Sequence, residues 1–373
     1  MAAPPLRVLV VDDSAYNRKN IADILAGSEE IEVVGKAADG EEALRLATQL
    51  KPQAITLDLE MPRMDGFTFL RILMSRQPTP VIVVSSYAQK DNVFKALELG
   101  AIDFVAKPDR QFSPDTLRAE ILEKVLLVRS LRAVTAPGAR APLRSEPLVA
   151  TAASASGAAA AARSSSVDLP GARHVQAAPR HLVAIASSTG GPTALLELFA
   201  KLPERFAGAM LVAQHMPDKF TRTFAERLDR KGPVRTSEAQ DGDPVSLRRG
   251  YVCPGKMCME VVQGAGVAPG SLADLRVKVA PPQAADRYVP SADRLLKSVA
   301  QVGASRAVGI ILTGMGDDGV NGARAIRAAG GTVIAESEAS AVVYGMPGAA
   351  VRAGVVNESL SLPEIVEFLS LLG

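Results

Sequence analysis

RVLVVDDS (residues 7–14) decides how the first third of the chain folds. Its apolar run reads as a β-strand that ends in two aspartates. The run is too short for a secretory signal, which needs a longer apolar core and a small-residue cleavage site. Outward from it, similar runs recur at IEVVG (31–35), AITLD (54–58), PVIVVSS (80–86) and AIDFVA (101–106). Between them, stretches such as EEALRLATQL (41–50) and NVFKALELG (92–100) carry helical periodicity. Five such units predict a doubly wound (βα)5 domain over residues 1–130, its parallel sheet covered on both faces by right-handed connections.

In such a sheet, ligands bind beyond the carboxyl ends of the strands. Asp12 and Asp13 end the first run and Asp58 the third, Ser85 and Ser86 end the fourth, and Lys107 follows the fifth. Clustered carboxylates repel one another unless a cation intervenes, and an all-oxygen set suits Mg²⁺. A carboxylate beside bound Mg²⁺ and an ammonium can accept a phosphoryl group, because its charge is neutralised.

Residues 131–179 change character. Ala, Ser, Pro, Gly and Arg dominate, large apolar residues are almost missing, and no period survives. Such a segment cannot bury enough surface to offset its ordering entropy, so a flexible linker is expected. Residues 180–373 return to an α/β pattern. HLVAIA (181–186), GAMLVAQ (208–214), AVGIILTG (307–314) and GTVIAE (331–336) read as strands with helices between them and LPEIVEFLSLL as a last helix. GYVCPG, CMEVVQG and LRVKVA read as an inserted β-meander within this second, Rossmann-like domain.

AIASSTGGPTALLELF (184–199) reads strand, tight turn, helix. Gly190 and Gly191 let the backbone present amides, and Pro192 suits a first helical turn. A helix start of this kind can hold an anion or a developing oxyanion. Two chemistries remain open on these residues: a phosphate- or nucleotide-binding loop, or a nucleophilic serine. This turn carries neither a GK[ST] nor a G-x-G-x-x-G with a downstream acidic residue to support the first. The second needs a base and an orienting acid. Of three histidines, His215 alone follows a strand beside the serine loop, in VAQHMP. ILTGMGDDGVNGARAI (311–326) places Asp317 and Asp318 after another strand.

The formal charge of +2 and the absence of Trp argue against nucleic-acid binding. No apolar stretch reaches the ~18 residues of a membrane span, so a cytoplasmic protein without membrane insertion is expected. Cys253 and Cys258, spaced C-x4-C with no second pair, suit packing better than zinc.

VVDDS, ITLDLEMPRMDG, VVSS and DFVAKP resemble the signature segments of response-regulator receiver domains. AIASSTGG, VAQHMP, YVCPG, ILTGMGDDG and VVYGMPGAA resemble, in order, the catalytic domain of the chemotaxis protein methylesterases, the CheB family. The first resemblance implies Asp58 as phospho-acceptor, with Asp12, Asp13 and the Glu60 backbone carbonyl as further Mg²⁺ ligands. It also implies that Lys107, Ser85 and Phe104 act as switch residues. The second implies Ser188 as nucleophile rather than Ser187, His215 as base and Asp318 as its orienting acid. Thr189, Gly190 and Gly191 would shape the serine loop, and the Met315 N–H would face the oxyanion. Together they imply a phosphorylation-regulated esterase that demethylates glutamate methyl esters on methyl-accepting chemotaxis receptors and deamidates glutamines there. A histidine kinase would supply the phosphoryl group, the ester chemistry would need no cofactor, and a monomer is expected.

Overall fold

The five runs marked in the sequence become one sheet. Its elements are β1 (Leu6–Val11), α1 (Ala15–Ala26), β2 (Ile31–Ala37), α2 (Gly40–Leu50), β3 (Ala54–Leu57), α3 (Gly66–Arg76), β4 (Val81–Ser85), α4 (Lys90–Glu98), β5 (Asp103–Ala106) and α5 (Pro114–Leu126). The strands are all parallel, in the order β2-β1-β3-β4-β5. Side-chain caps set the helix starts: Ser14 accepts from Asn17 N–H, Asp39 from Glu41 and Glu42 N–H, and Asp65 from Thr68 N–H. The computed structural model describes residues 4–86, 90–107, 114–131, 177–267 and 271–372. Nearly all of the predicted linker, 131–179, lies outside the described residues.

The second half comprises β6 (His181–Ser187), α6 (Gly191–Lys201), β7 (Gly208–Gln214), α7 (Asp218–Lys231), β8 (Arg235–Glu238), β9 (Arg249–Val252), β10 (Cys258–Gln263), β11 (Leu275–Ala280), α8 (Ala292–Gly303), β12 (Ala307–Ile311), α9 (Val320–Ala328), β13 (Thr332–Glu336), α10 (Met346–Arg352), β14 (Glu358–Leu360) and α11 (Leu362–Ser370). Seven strands form a parallel sheet ordered β14-β13-β12-β6-β7-β9-β8. Strands β6, β7 and β12 are buried on both faces, as their near-continuous apolar sequences require.

The expected meander is smaller than its sequence pattern. Among the named strands of the described residues, only β10 and β11 pair antiparallel. Gly250, Tyr251 and Val252 are buried in succession, so β9 needs cover on both faces and joins β7 in the main sheet. Buried and exposed residues alternate along the first four of β11, a pattern that suits a two-stranded ribbon with one face turned inward. Strands β8 (RTSE) and β14 (ESL) carry no apolar run of their own, being short, polar and at the two sheet edges.

The two halves share one compact unit. Helix α4 packs on α6 and α7. There Phe94 stacks on Phe224 with centroids 5.6 Å apart, and Phe104 meets Phe220 at 4.6 Å. All four rings are fully or almost fully buried. Charges frame this aromatic seam. Arg227 reaches the Asp91 carbonyl at 2.9 Å and Glu98 at 3.6 Å, and Lys231 reaches Glu98 at 3.2 Å.

Candidate active site

From β6 the second sheet grows one way to β7, β9 and β8, and later the other way to β12, β13 and β14. The crevice at that reversal, between β6 and β12, is where a doubly wound sheet binds ligands. Ser188 follows β6, His215 follows β7, and Asp318 lies in the turn beyond β12. The strand-end backbone ties the three segments together: Ser188 N–H donates to Thr313 O at 3.0 Å and His215 N–H to Ser187 O at 3.0 Å.

His215 Nε2 lies 2.9 Å from Asp318 Oδ2. Asp318 is buried and also accepts from Ala292 N–H at 2.8 Å and Asp293 N–H at 2.9 Å, the first amides of α8. A carboxylate only accepts, so it holds the imidazole proton on Nε2 and leaves the Nδ1 lone pair free for a base's work. Asp317 takes no part in that pair. Its two oxygens accept from Tyr288 Oη and the Arg287 guanidinium. Among the described residues, Ser188 Oγ makes no hydrogen bond to His215; Gln214 joins their backbones, its Nε2 donating to Ser188 O at 2.8 Å and His215 O at 3.0 Å.

The two serines differ in surroundings. Ser187 is fully buried, and its hydroxyl donates to Gln214 Oε1 at 2.7 Å. Ser188 is only partly buried at the mouth of the crevice. Gly190 caps α6 with φ +78°, and a Cβ there would lie 2.7 Å from Val342. Gly191 opens α6, its N–H donating to Ser188 O at 2.8 Å. Thr189 is buried, and Met315 is 43% exposed. Gly314 sets the space around the serine, for a Cβ there would meet Ser188 Cβ at 2.7 Å. Gly314→Ala is therefore expected to push Ser188 aside and lower kcat about 10²-fold while the fold persists. Turnover kinetics beside a melting curve check this.

At the first sheet's carboxyl edge, Lys107 Nζ lies 2.5 Å from Asp58 Oδ2 and 2.9 Å from Asp12 Oδ2. Carboxylate oxygens of Asp12, Asp13 and Asp58 lie within 4.8 Å of one another. Burial pushes the Asp58 carboxyl up against the pull of Lys107. Burial works against the Lys107 ammonium too, but hydrogen bonds and charge pairing with Asp58 and Asp12 hold it above the usual lysine range. Asp12 Oδ2 is buried without a hydrogen bond of good geometry, so the donor set fits a hard divalent cation such as Mg²⁺. Asp13 and Glu60 are exposed beside it. Ser85 is buried at the end of β4, and its carbonyl accepts Lys107 N–H at 2.7 Å. Phe104 lies in the seam against Phe220.

A family model described as CheB methylesterase matches residues 183–369, and one described as response regulator receiver domain matches residues 8–122. Protein-glutamate methylesterase/protein-glutamine glutaminase 1 of Myxococcus xanthus (strain DK1622) is 44% identical, covering 98% of this chain and 97% of its own. Protein-glutamate methylesterase/protein-glutamine glutaminase 3 of Geobacter sulfurreducens (strain ATCC 51573 / DSM 12127 / PCA) is 45% identical over 98% of each. The chain belongs to the CheB methylesterase family. It is a receiver-linked member of it.

Within this CheB frame, several residues had no sequence signal of their own. Gln214 is a plain polar strand end. Gly314 is one glycine among many. Tyr288 lies in a loop 29 residues before its partner Asp317. Thr313, whose Oγ1 donates to Thr189 O at 2.9 Å and accepts Val343 N–H at 2.9 Å, pins the serine loop from β12. Cys253 and Cys258 are unpaired and buried, and burial pushes both thiols up, which suits packing. No helix among the described residues is long and apolar enough to cross a membrane.

Proposed function

We propose that this chain is a phosphorylation-regulated serine hydrolase with a receiver domain over 1–130 and a catalytic domain over 180–373. It demethylates glutamate methyl esters on methyl-accepting chemotaxis receptors, releasing methanol, and deamidates glutamines at equivalent positions. The His215–Asp318 pair beside the Ser188 turn, in a chain 44% identical end to end to a methylesterase/glutaminase, carries this reading.

Ser188 Oγ attacks the ester carbonyl while His215 Nδ1 takes its proton. The developing oxyanion meets the amides near Thr189 and the Met315 N–H; one such donor is typically worth about 10²–10³ in rate. The C–OCH₃ bond breaks as the imidazolium returns its proton to the leaving methoxide. Water, deprotonated by His215, then cleaves the acyl-enzyme and frees the carboxylate. A glutamine amide follows the same course with ammonia leaving.

In the receiver, Asp58 accepts a phosphoryl group from a chemotaxis histidine kinase, with Lys107 against the transferred oxygens. Asp12, Asp13, Asp58 and the Glu60 carbonyl would hold Mg²⁺, which when bound offsets the negative charge gathered there. The unphosphorylated receiver restrains the hydrolase through the α4–α7 seam, and phosphorylation shifts the population away from it. Arg227→Glu sets a carboxylate against Asp91 and Glu98. It is expected to weaken the seam by about 1 kcal/mol and raise phosphodonor-free activity about 5-fold. Methanol release from methylated receptor membranes, without phosphodonor, tests it; an unchanged rate removes the seam from the regulation.

A further inference from the structure

The Tyr288 ring lies parallel to the His215 imidazole, centroids 5.4 Å apart and planes 8° from coplanar. Its hydroxyl donates to Asp317 Oδ1 at 3.0 Å. Arg287 donates to the other Asp317 oxygen at 3.2 Å, and its guanidinium sits 5.4 Å from the Tyr288 centroid. The chain between the two sites leaves no slack: Gly316 has φ +89°, and a Cβ there would lie 2.6 Å from the Tyr288 hydroxyl.

From this geometry we infer that Tyr288, tethered by Asp317, is a positioning residue for the general base. The inference rests on the esterase reading. Two adjacent acids in one turn then hold one imidazole by different routes. Asp318 fixes its edge through Nε2, and Asp317 fixes its face through the Tyr288 ring. An imidazole held at one edge can still tilt or rotate about χ2, which would swing Nδ1 away from Ser188. A ring parallel to its face blocks that sweep at low entropic cost, because Tyr288 is itself anchored at both ends of its side chain. Burial and the Asp317 carboxylate push the phenol above its ordinary value of 10.0, so it remains a donor under working conditions. The acid at 317, which the edge contact leaves unused, gains a defined task.

The test uses the full chain with Tyr288→Ala and Tyr288→Phe, and Ser188→Ala as a chemical control. Methanol release from methylated receptor membranes gives kcat and KM. Nitrogen-15 spectra of histidine-labelled protein, which has only three histidines, report the tautomer of His215. Tyr288→Ala is expected to lower kcat about 10- to 100-fold with little change in KM, and to broaden the Nε2-protonated signal as the ring of His215 gains freedom. Tyr288→Phe keeps the ring but drops the Asp317 tether, so its kcat should fall between wild type and Tyr288→Ala. Wild-type kcat and His215 spectrum in Tyr288→Ala would overturn the inference; Tyr288→Phe matching wild type would overturn the Asp317 tether, and Tyr288→Phe matching Tyr288→Ala would overturn the part given to the ring. Continued methanol release by Ser188→Ala would bring down the underlying esterase reading instead, and the tautomer spectra would still judge the clamp.

Discussion

Ser188→Ala is expected to reduce methanol release from methylated receptor membranes by about 10⁴-fold or more, leaving the melting temperature unchanged. The alanine keeps the Cβ that packs against Gly314 and removes only the oxygen at the crevice mouth. What survives is the rate that oxyanion donors and substrate binding give to water alone. His215→Ala should cost a similar factor, and the double variant hardly more than either single one, because groups acting as one unit are not additive. Ser187→Ala makes the sharper comparison. It removes a buried hydrogen bond to Gln214 and should cost stability, about 1 kcal/mol, with little loss of kcat. If Ser188→Ala released methanol normally, the serine turn would have to be reconsidered as a phosphate-binding loop.

Asp58→Asn is expected to abolish the response to a small-molecule phosphodonor altogether. The amide cannot take a phosphoryl group, and it removes one of the two carboxylates that hold Lys107. The effect on the hydrolase follows from the chain itself. Lys107 directly follows β5, and β5 carries two of the residues that touch the other half. Phe104 packs on Phe220, and Asp103 accepts from Thr189 Oγ1 at 2.6 Å, next to the proposed nucleophile. Asp103 also holds Lys124 at 3.1 Å, so a shift in β5 disturbs an anchored contact. A tenfold stimulation would require only about 1.4 kcal/mol of differential stabilisation, comparable to breaking one charge-assisted hydrogen bond. Methanol release measured with and without phosphodonor decides it. Stimulation persisting in Asp58→Asn would show that the phosphodonor acts elsewhere.

Much of this molecule was legible in the order of its residues. Apolar runs of strand length, broken by acids, serines and glycines, marked where the sheets lie and which ends carry chemistry. Those are local properties: a run such as RVLVV must be buried on both faces wherever it lies, and a polar residue just past it falls at a strand end. By position alone, Asp12, Asp58 and Lys107 therefore fall on one edge, and Ser188, His215 and Asp318 on another. Tertiary structure decided what neighbours of the same chemical type do. Ser187 and Ser188, or Asp317 and Asp318, are alike in composition, but successive side chains point to opposite sides. Only the packing of distant segments tells which faces Gln214, which faces His215 and which faces Tyr288. The same holds for β9, placed beside β7 by burial on both faces, and for Phe104, whose partner Phe220 lies more than a hundred residues away. Periodicity reports how a segment meets its surroundings, and long-range pairing determines what those surroundings are.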